Sequence, residues 1–105
     1  MISRFAQFLG IMAERSPGQM VLMPQRGCHS NASGNVHEGV LATMAAEAAC
    51  SAMGGNAIGV ALEFLSAAKF EDGGIVAEAV AEGVVVAMIE IRQGEKLIAT
   101  GKVIS

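Results

Sequence analysis

The spacing of hydrophobic and polar residues changes after Met53, and the change separates a long helix from a sheet-forming part. Gly39 to Met53 is a nearly continuous run of small apolar helix formers, which predicts one helix of about 15 residues. Gly54-Gly55-Asn56 follows directly and predicts the end of that helix. Beyond it the apolar residues recur with a period of two, which is typical of β-strands.

Four strands are predicted in this second part, and glycine-containing turns separate the later ones. They span Ala57 to Leu65, Ile75 to Glu82, Val84 to Arg92, and Lys96 to Ile104. In the first strand the large apolar side chains share one face and the other face is nearly bare, so another backbone or a ligand could come close. In the last strand, alternation predicts that Leu97, Ala99 and Val103 face opposite to Ile98 and Thr100.

The N-terminal part is predicted to contain a hairpin and a loop. Apolar residues at helical spacing predict a short helix within residues 1–13, with a strand beginning over Ile11 to Arg15 as the alternative. Ser16-Pro17-Gly18 is a turn signal, and Gln19 to Met23 alternates as a strand does. Gln25 to Asn35 is rich in Gly, Ser, Asn and His, which predicts a loop. One helix among several strands indicates a single α+β domain, residues 1–105, with an antiparallel sheet.

Composition narrows the classes of function. A net charge of −3 and the absence of Trp and Tyr argue against a nucleic-acid interface. Cys28 and Cys50 match neither a disulfide framework nor a zinc pattern, so no metal site is expected. No apolar run reaches the ~20 residues of a membrane span, and a cytoplasmic location is expected. The core must be built from small side chains, which makes a homo-oligomer a reasonable expectation.

Two features of the helix region suggest chemistry. Polar or reactive side chains lie on one stripe of an otherwise apolar helix, and that stripe meets water, a partner subunit or a substrate: Thr43, Glu47, Cys50 and Ser51. The preceding loop, with Asn31, His37 and Gly39, leads into a helix start whose backbone N–H groups lack intrahelical partners. Such donors suit an anion or a developing oxyanion. The alternative for His37 is a side chain that only caps the loop.

The motif N-x-x-G-x-x-H-x-G-V-L-A-T-M-A-x-E-A, from Asn31 to Ala48, resembles hotdog-fold thioesterases of the PaaI-like type. Further likenesses occur at Phe8-Leu9-Gly10-Ile11, Leu62-Glu63-Phe64-Leu65 and Leu97-Ile98-Ala99-Thr100-Gly101. The resemblance implies an antiparallel sheet curled around one helix, assembled as dimers or tetramers with sites at subunit interfaces. It also implies hydrolysis of acyl-CoA thioesters without metal or cofactor.

The same resemblance implies a role for each motif residue. Asn31 would position the nucleophile or a water molecule, and His37 would sit beside the thioester carbonyl. The backbone N–H of Glu38 would form the oxyanion hole. Substrate contacts are expected from Gly39, Thr43 and Phe64.

Two residues depart from the family pattern where the chemistry would need them. The family's catalytic carboxylate falls on Ala46, and Glu47 lies about 100° further round the helix. Glu38 replaces a glycine, so its carboxylate either opposes an oxyanion or acts as a relocated base. Ser66-Ala67 also replaces an Arg-Pro pair. The sequence therefore predicts an acyl-CoA thioesterase that uses Glu38 or Glu47, with a non-catalytic hotdog domain binding an acyl or other apolar ligand as the alternative.

Overall fold

A computed structural model describes residues 12–105, in which one long helix lies against one face of a six-stranded antiparallel sheet. A second, four-residue helix and a short 3-10 turn (Phe70–Asp72) lie in the connections. The elements in chain order are β1 (Met12–Ser16), β2 (Gln19–Leu22), α1 (Arg26–His29), α2 (Glu38–Met53), β3 (Gly59–Phe64), β4 (Ile75–Glu82), β5 (Val86–Gln93) and β6 (Lys96–Ile104).

The long helix α2 forms where its residue pattern predicts it, one residue earlier than the apolar run. His37 is its N-cap residue, in an extended conformation. At the other end Gly54 takes a φ of 77°, which a side-chain-bearing residue rarely adopts, and its N–H donates to the Cys50 carbonyl at 2.8 Å. No helix within residues 12–105 combines the length and the apolar character needed to cross a membrane.

The strand order is β1-β2-β4-β5-β6-β3, and all neighbours are antiparallel. The predicted hairpin over β1 and β2 is confirmed, and its turn places Gly18 at a φ of 84°. β3 follows α2 in the chain yet pairs with β6, the last strand. The two edges of the sheet are therefore β1 and β3, and β3 has a hydrogen-bonded neighbour on one side only within residues 12–105.

The core lies between α2 and the sheet, and α2 packs chiefly over β2, β4 and β5. Small residues on the helix let the sheet approach closely, and the larger core side chains come from both layers. The largest fully buried apolar ones are Met20, Leu22, Leu41, Met44, Ile75, Ile91, Ile98 and Val103. The α+β class with an antiparallel sheet around one main helix, predicted from periodicity, is confirmed.

The predicted alternation in the last strand is wrong at Leu97, which pairs with the exposed Arg92, and at Ile98, which is buried together with Ala99. The register between β5 and β6 shifts, so that Ile91 pairs with Ala99 while Arg92 pairs with Leu97. Ile98 is the extra residue of a β-bulge, and both Ile98 and Ala99 are buried. The backbone carbonyl of Ile98 accepts hydrogen bonds from the N–H groups of Leu65 and Ser66. A bulge breaks the period of two, which is why simple alternation placed Ile98 on the opposite face.

The predicted loop over residues 25–35 contains the short helix α1, which its Gly, Ser and Asn content did not indicate. His29 ends α1 and is fully buried, with its Nδ1 accepting the N–H of Gln25 at 2.8 Å. The helix predicted within residues 1–13 and the segment Phe8 to Ile11 fall outside the described residues, except that Met12 begins β1. The described part agrees with the alternative of a strand in that region.

Candidate functional site

The side of the sheet that faces α2 is left uncovered at β3. Val60 and Phe64 of β3 pair with the buried residues Val103 and Ala99 of β6, so they share the inner face of the sheet. Val60 is nevertheless 41% exposed and Phe64 37% exposed. Since α2 packs mainly over the strands at the other side of the sheet, a gap opens between its N-terminal turns and β3.

Two adjoining clefts occupy this gap. We call the first, of about 320 Å³, the loop cleft, because it lies between the Asn31–Asn35 loop and residues 64–68. We call the second, of about 340 Å³, the strand cleft, because it lies between the start of α2 and β3. Glu38 and Phe64 line both. The remaining lining of the strand cleft is Gly39, Ala42, Val60 and Leu62, whereas the loop cleft adds the polar residues Asn31, Asn35 and Ser66.

Asn31 shapes the wall of the loop cleft through its side-chain oxygen. Oδ1 accepts the N–H of Ser33 at 3.0 Å and that of Asn35 at 2.9 Å. The backbone N–H of Asn31 donates to the Asn35 carbonyl at 2.8 Å, which closes the loop further. This is the local turn chemistry for which asparagine is favoured. Because the oxygen is occupied by two backbone donors, the NH₂ group is the part of the side chain with capacity for a ligand.

His37 caps the helix start. Its Nδ1 accepts the N–H of Gly39 at 2.8 Å, and its backbone carbonyl accepts the N–H of Val40 at 3.0 Å. The ring lies so close over Gly39 that a Cβ there would be 3.0 Å from Nδ1. This contact explains the glycine two residues after the histidine. With Nδ1 accepting, the neutral ring carries its proton on the exposed Nε2, which is a donor.

Glu38 begins α2 at the junction of the two clefts. Its carboxylate is exposed, and the N-terminal end of a helix favours a negative charge. The N–H groups of Gly39 and Val40 are taken by His37, whereas that of Glu38 has no acceptor within residues 12–105. A free backbone donor and a carboxylate thus come from the same residue.

Of the other predicted site residues, Gly39 and Phe64 line the clefts, whereas Thr43 and Glu47 line neither cleft. Gly39 lines the strand cleft and Phe64 lines both clefts. Thr43 lies one turn along α2, and its hydroxyl donates to the Gly39 carbonyl at 2.9 Å. Glu47 is only 8% exposed and lines neither cleft, while Ala46 beside it is half-buried.

The predicted polar stripe on α2 does not share one environment. Thr43 and Cys50 are half-buried, whereas Glu47 lies among the buried residues. Ser51 holds the β1–β2 hairpin, since its hydroxyl accepts the N–H of Gly18 at 2.8 Å and donates to the carboxylate of Glu14. The residues of the predicted stripe therefore differ in burial, and the hydroxyls of Thr43 and Ser51 bind different parts of the chain.

Sequence reasoning did not single out several residues that line the clefts, among them Asn35, Leu41 and Ala42. Asn35 lies in the same polar loop as Asn31, so the two asparagines at the ends of this loop could have indicated that both belong to the site. Ala42 is one alanine among many in α2, and nothing in the sequence distinguishes an alanine beside a cleft from one in the core.

Replacing His37 with alanine is expected to destabilise the fold by about 1 kcal/mol, because the N–H of Gly39 loses its cap. His37→Asn should restore most of that loss, since asparagine is a favoured N-cap residue. Urea denaturation measures both. A His37→Asn variant as unstable as His37→Ala would contradict the capping role.

Comparison with known proteins supports the fold assignment. No protein-family model matches the sequence, and no curated protein matches it either. Among solved structures, the chain is similar to the E. coli PaaI protein from the phenylacetic acid degradation operon (22% identity over 95% of this chain and 86% of that chain, TM-score 0.64). It is also similar to thioesterase superfamily member 2 from Mus musculus (22% identity, 94% and 84%, TM-score 0.68).

A third similar structure is a variant of the phenylacetic acid degradation protein PaaI from Thermus thermophilus, at 24% identity over 97% of this chain and 98% of that chain, with a TM-score of 0.68. The TM-scores of these three structures establish the architecture, and the similarity extends over most of each protein. The resemblance found in the Asn31 to Ala48 motif is thereby confirmed at the level of the fold. The chain has the hotdog fold that the PaaI-like thioesterase structures share.

Proposed function

We propose that this protein is a thioesterase that hydrolyses a small acyl-CoA thioester in the groove between α2 and β3. The observation that carries the proposal is the position of Glu38, which lines both clefts beside Asn31 and supplies a backbone N–H without an acceptor among the described residues. Two of the similar structures are PaaI proteins and one is named a thioesterase superfamily member, which supports this reaction class.

In the proposed reaction, the Glu38 carboxylate takes a proton from a water molecule that the Asn31 NH₂ group helps to position. The water oxygen bonds to the thioester carbonyl carbon, and the Glu38 N–H stabilises the resulting oxyanion. The C–S bond then breaks, and the protonated Glu38 returns the proton to the thiolate. The products are a carboxylic acid and a free thiol. This sequence of steps uses no metal or cofactor.

Glu38 is a better candidate for the base than Glu47. A general base must lie within hydrogen-bond reach of the proton that it abstracts, directly or through one water. Glu38 lines both clefts, whereas Glu47 is nine residues further along α2, about 13 Å along the helix axis, and is buried. We therefore place the base at the helix start and assign Ala46 no part in the chemistry.

We further propose that the protein acts as a homo-oligomer whose subunits pair through β3. This strand is six residues long, lies at the sheet edge and is flanked by the exposed apolar residues Ile58 and Leu65. An exposed apolar edge strand is a template for pairing with another chain. A second copy at this edge would adjoin the strand cleft and close its open side. Dimer and tetramer are both compatible with this pairing.

The test of the proposed reaction is thiol release from a panel of acyl-CoAs, acetyl to hexanoyl, by purified protein. Glu38→Gln is expected to lower kcat by about 100-fold or more, since general-base catalysis contributes roughly that factor. Glu47→Gln is the matched control and should keep kcat within about threefold, as its carboxylate lies outside both clefts. Activity that survives both substitutions would exclude either carboxylate as the base. Absence of turnover by the unmodified protein would favour the non-catalytic, ligand-binding alternative.

A further inference from the structure

The two clefts differ in chemistry although they meet at the same two residues. The loop cleft has amide and hydroxyl groups in its wall, from Asn31, Asn35 and Ser66. Apart from Glu38 at its entrance, the strand cleft is walled by glycine and apolar side chains only. A substrate with one apolar and one polar branch would satisfy both clefts in a single orientation, because polar groups lose free energy when they are buried without partners.

We infer that the strand cleft holds the acyl chain of the substrate and that Ala42 determines the chain length it accepts; this rests on the proposed function. The thioester then lies at the junction, next to Glu38. The polar loop cleft receives the amide-containing thiol portion. Phe64, which lines both clefts, forms the ridge between the two branches.

Ala42 has this role because of its place in the wall. It is half-buried on α2, one turn after Glu38, so it lies about 6 Å along the axis from the junction. The opposite wall consists of Val60 and Leu62 on β3. A larger side chain at position 42 would therefore fill the cleft beyond the first carbons of an acyl chain and leave the junction open.

The volume of the cleft agrees with a short acyl chain. At about 340 Å³ the strand cleft lies at the lower end of the range for small-molecule sites. Each CH₂ group that is excluded from an apolar site costs about 0.8 kcal/mol, so exclusion of two lowers affinity by roughly tenfold or more. An acyl chain of two carbons would not extend far enough to sense the substitution.

The experiment compares S-hexyl-CoA and S-ethyl-CoA, thioethers that cannot be hydrolysed, by calorimetric titration. Ala42→Leu is expected to lower the hexyl-to-ethyl affinity ratio at least about tenfold, with ethyl binding changed less than about twofold. Val60→Phe fills the cleft from the β3 side at an exposed position and should act in the same direction, which covers the case in which the helix variant does not fold. Ala46→Leu lies one turn further along the helix, outside both clefts, and should leave the ratio unchanged.

The affinity ratio and the turnover together separate the acyl-chain assignment from the proposed hydrolysis. An unchanged ratio in the folded Ala42→Leu and Val60→Phe variants would overturn the acyl-chain assignment, even if the protein hydrolyses acyl-CoAs. A lowered ratio in a protein without turnover would support the assignment and overturn the proposed hydrolysis. Failure of the unmodified protein to bind either thioether would overturn the acyl-chain assignment, whereas thiol release from the acyl-CoA panel decides the proposed hydrolysis separately.

Discussion

Replacing Gly101 with alanine is expected to destabilise the protein by about 3 kcal/mol or more, a larger effect than overpacking usually has. Gly101 lies in β6, where it pairs with Leu62 of β3 on one side and with Ile89 of β5 on the other. A Cβ at this position would lie 2.0 Å from the Ala61 carbonyl oxygen and 2.8 Å from the Leu62 Cα. Both are backbone atoms, so no side-chain rotation can relieve the clash and β3 must move.

Gly27→Ala is the matched control, because a Cβ on Gly27 meets no atom within 4 Å among the described residues and Gly27 lies in α1. Its free energy of unfolding should stay within about 1 kcal/mol of the unmodified protein and rise rather than fall. Urea denaturation gives both values. In native-state hydrogen exchange, Gly101→Ala should also expose the amides that pair β3 with β6. A loss below about 1 kcal/mol would show that β3 shifts easily, which contradicts the close pairing.

Replacing Gln93 with alanine is expected to destabilise the protein by about 2–3 kcal/mol. Gln93 ends β5 and is only 3% exposed. Its Oε1 accepts the Lys69 N–H at 3.0 Å, and its Nε2 donates to the carbonyls of Lys69 and Gly73 at 2.6 and 2.9 Å. One side chain thus satisfies three backbone groups of the connection between β3 and β4, and alanine would leave all three without that partner.

Gln25→Ala is the control for this substitution, because Gln25 is exposed and its side chain makes no capping hydrogen bond to α1. It should change the free energy of unfolding by no more than about 0.5 kcal/mol. Urea denaturation compares the two variants, and hydrogen exchange at Lys69 reports the local effect. Equal stability of the two variants would mean that water replaces the amide of Gln93 without cost, contrary to the expectation.

Both residues affect the proposed site through the backbone. Gly101 allows β3 to lie against β6 and so sets the wall that carries Val60, Leu62 and Phe64. Gln93 holds the backbone of Lys69, which directly follows residues 66–68 in the wall of the loop cleft. Their replacement should therefore impair ligand binding as well as stability, although neither touches Glu38.

Local signals were sufficient for most of the secondary structure. The helix over Glu38–Met53 follows from a run of helix formers bounded by a capping residue and by Gly54. The hairpin and the strands follow from alternation interrupted by turn residues. The bulge at Ile98 was missed because it depends on how β6 pairs with β5, and its residue type is as common in a regular strand.

The candidate site was only partly accessible from the sequence. The motif from Asn31 to Gly39 drew attention to the loop and the helix start, where the structure has the loop cleft and the cap. The choice between Glu38 and Glu47 was open, since both are single carboxylates near the motif. Burial distinguishes them: Glu38 is exposed at the junction of the clefts and Glu47 is 8% exposed.

The sequence by itself determined the class of the fold, the start and end of the main helix, and the loop that precedes it, because these depend on contacts between residues close in the chain. Only the tertiary structure decided that α2 leaves β3 uncovered and that Glu38 and Phe64 line the same groove. The physical reason is that the pairing of β3 with β6 and the packing of α2 over the other strands join distant residues. No local pattern records which strand a helix will cover.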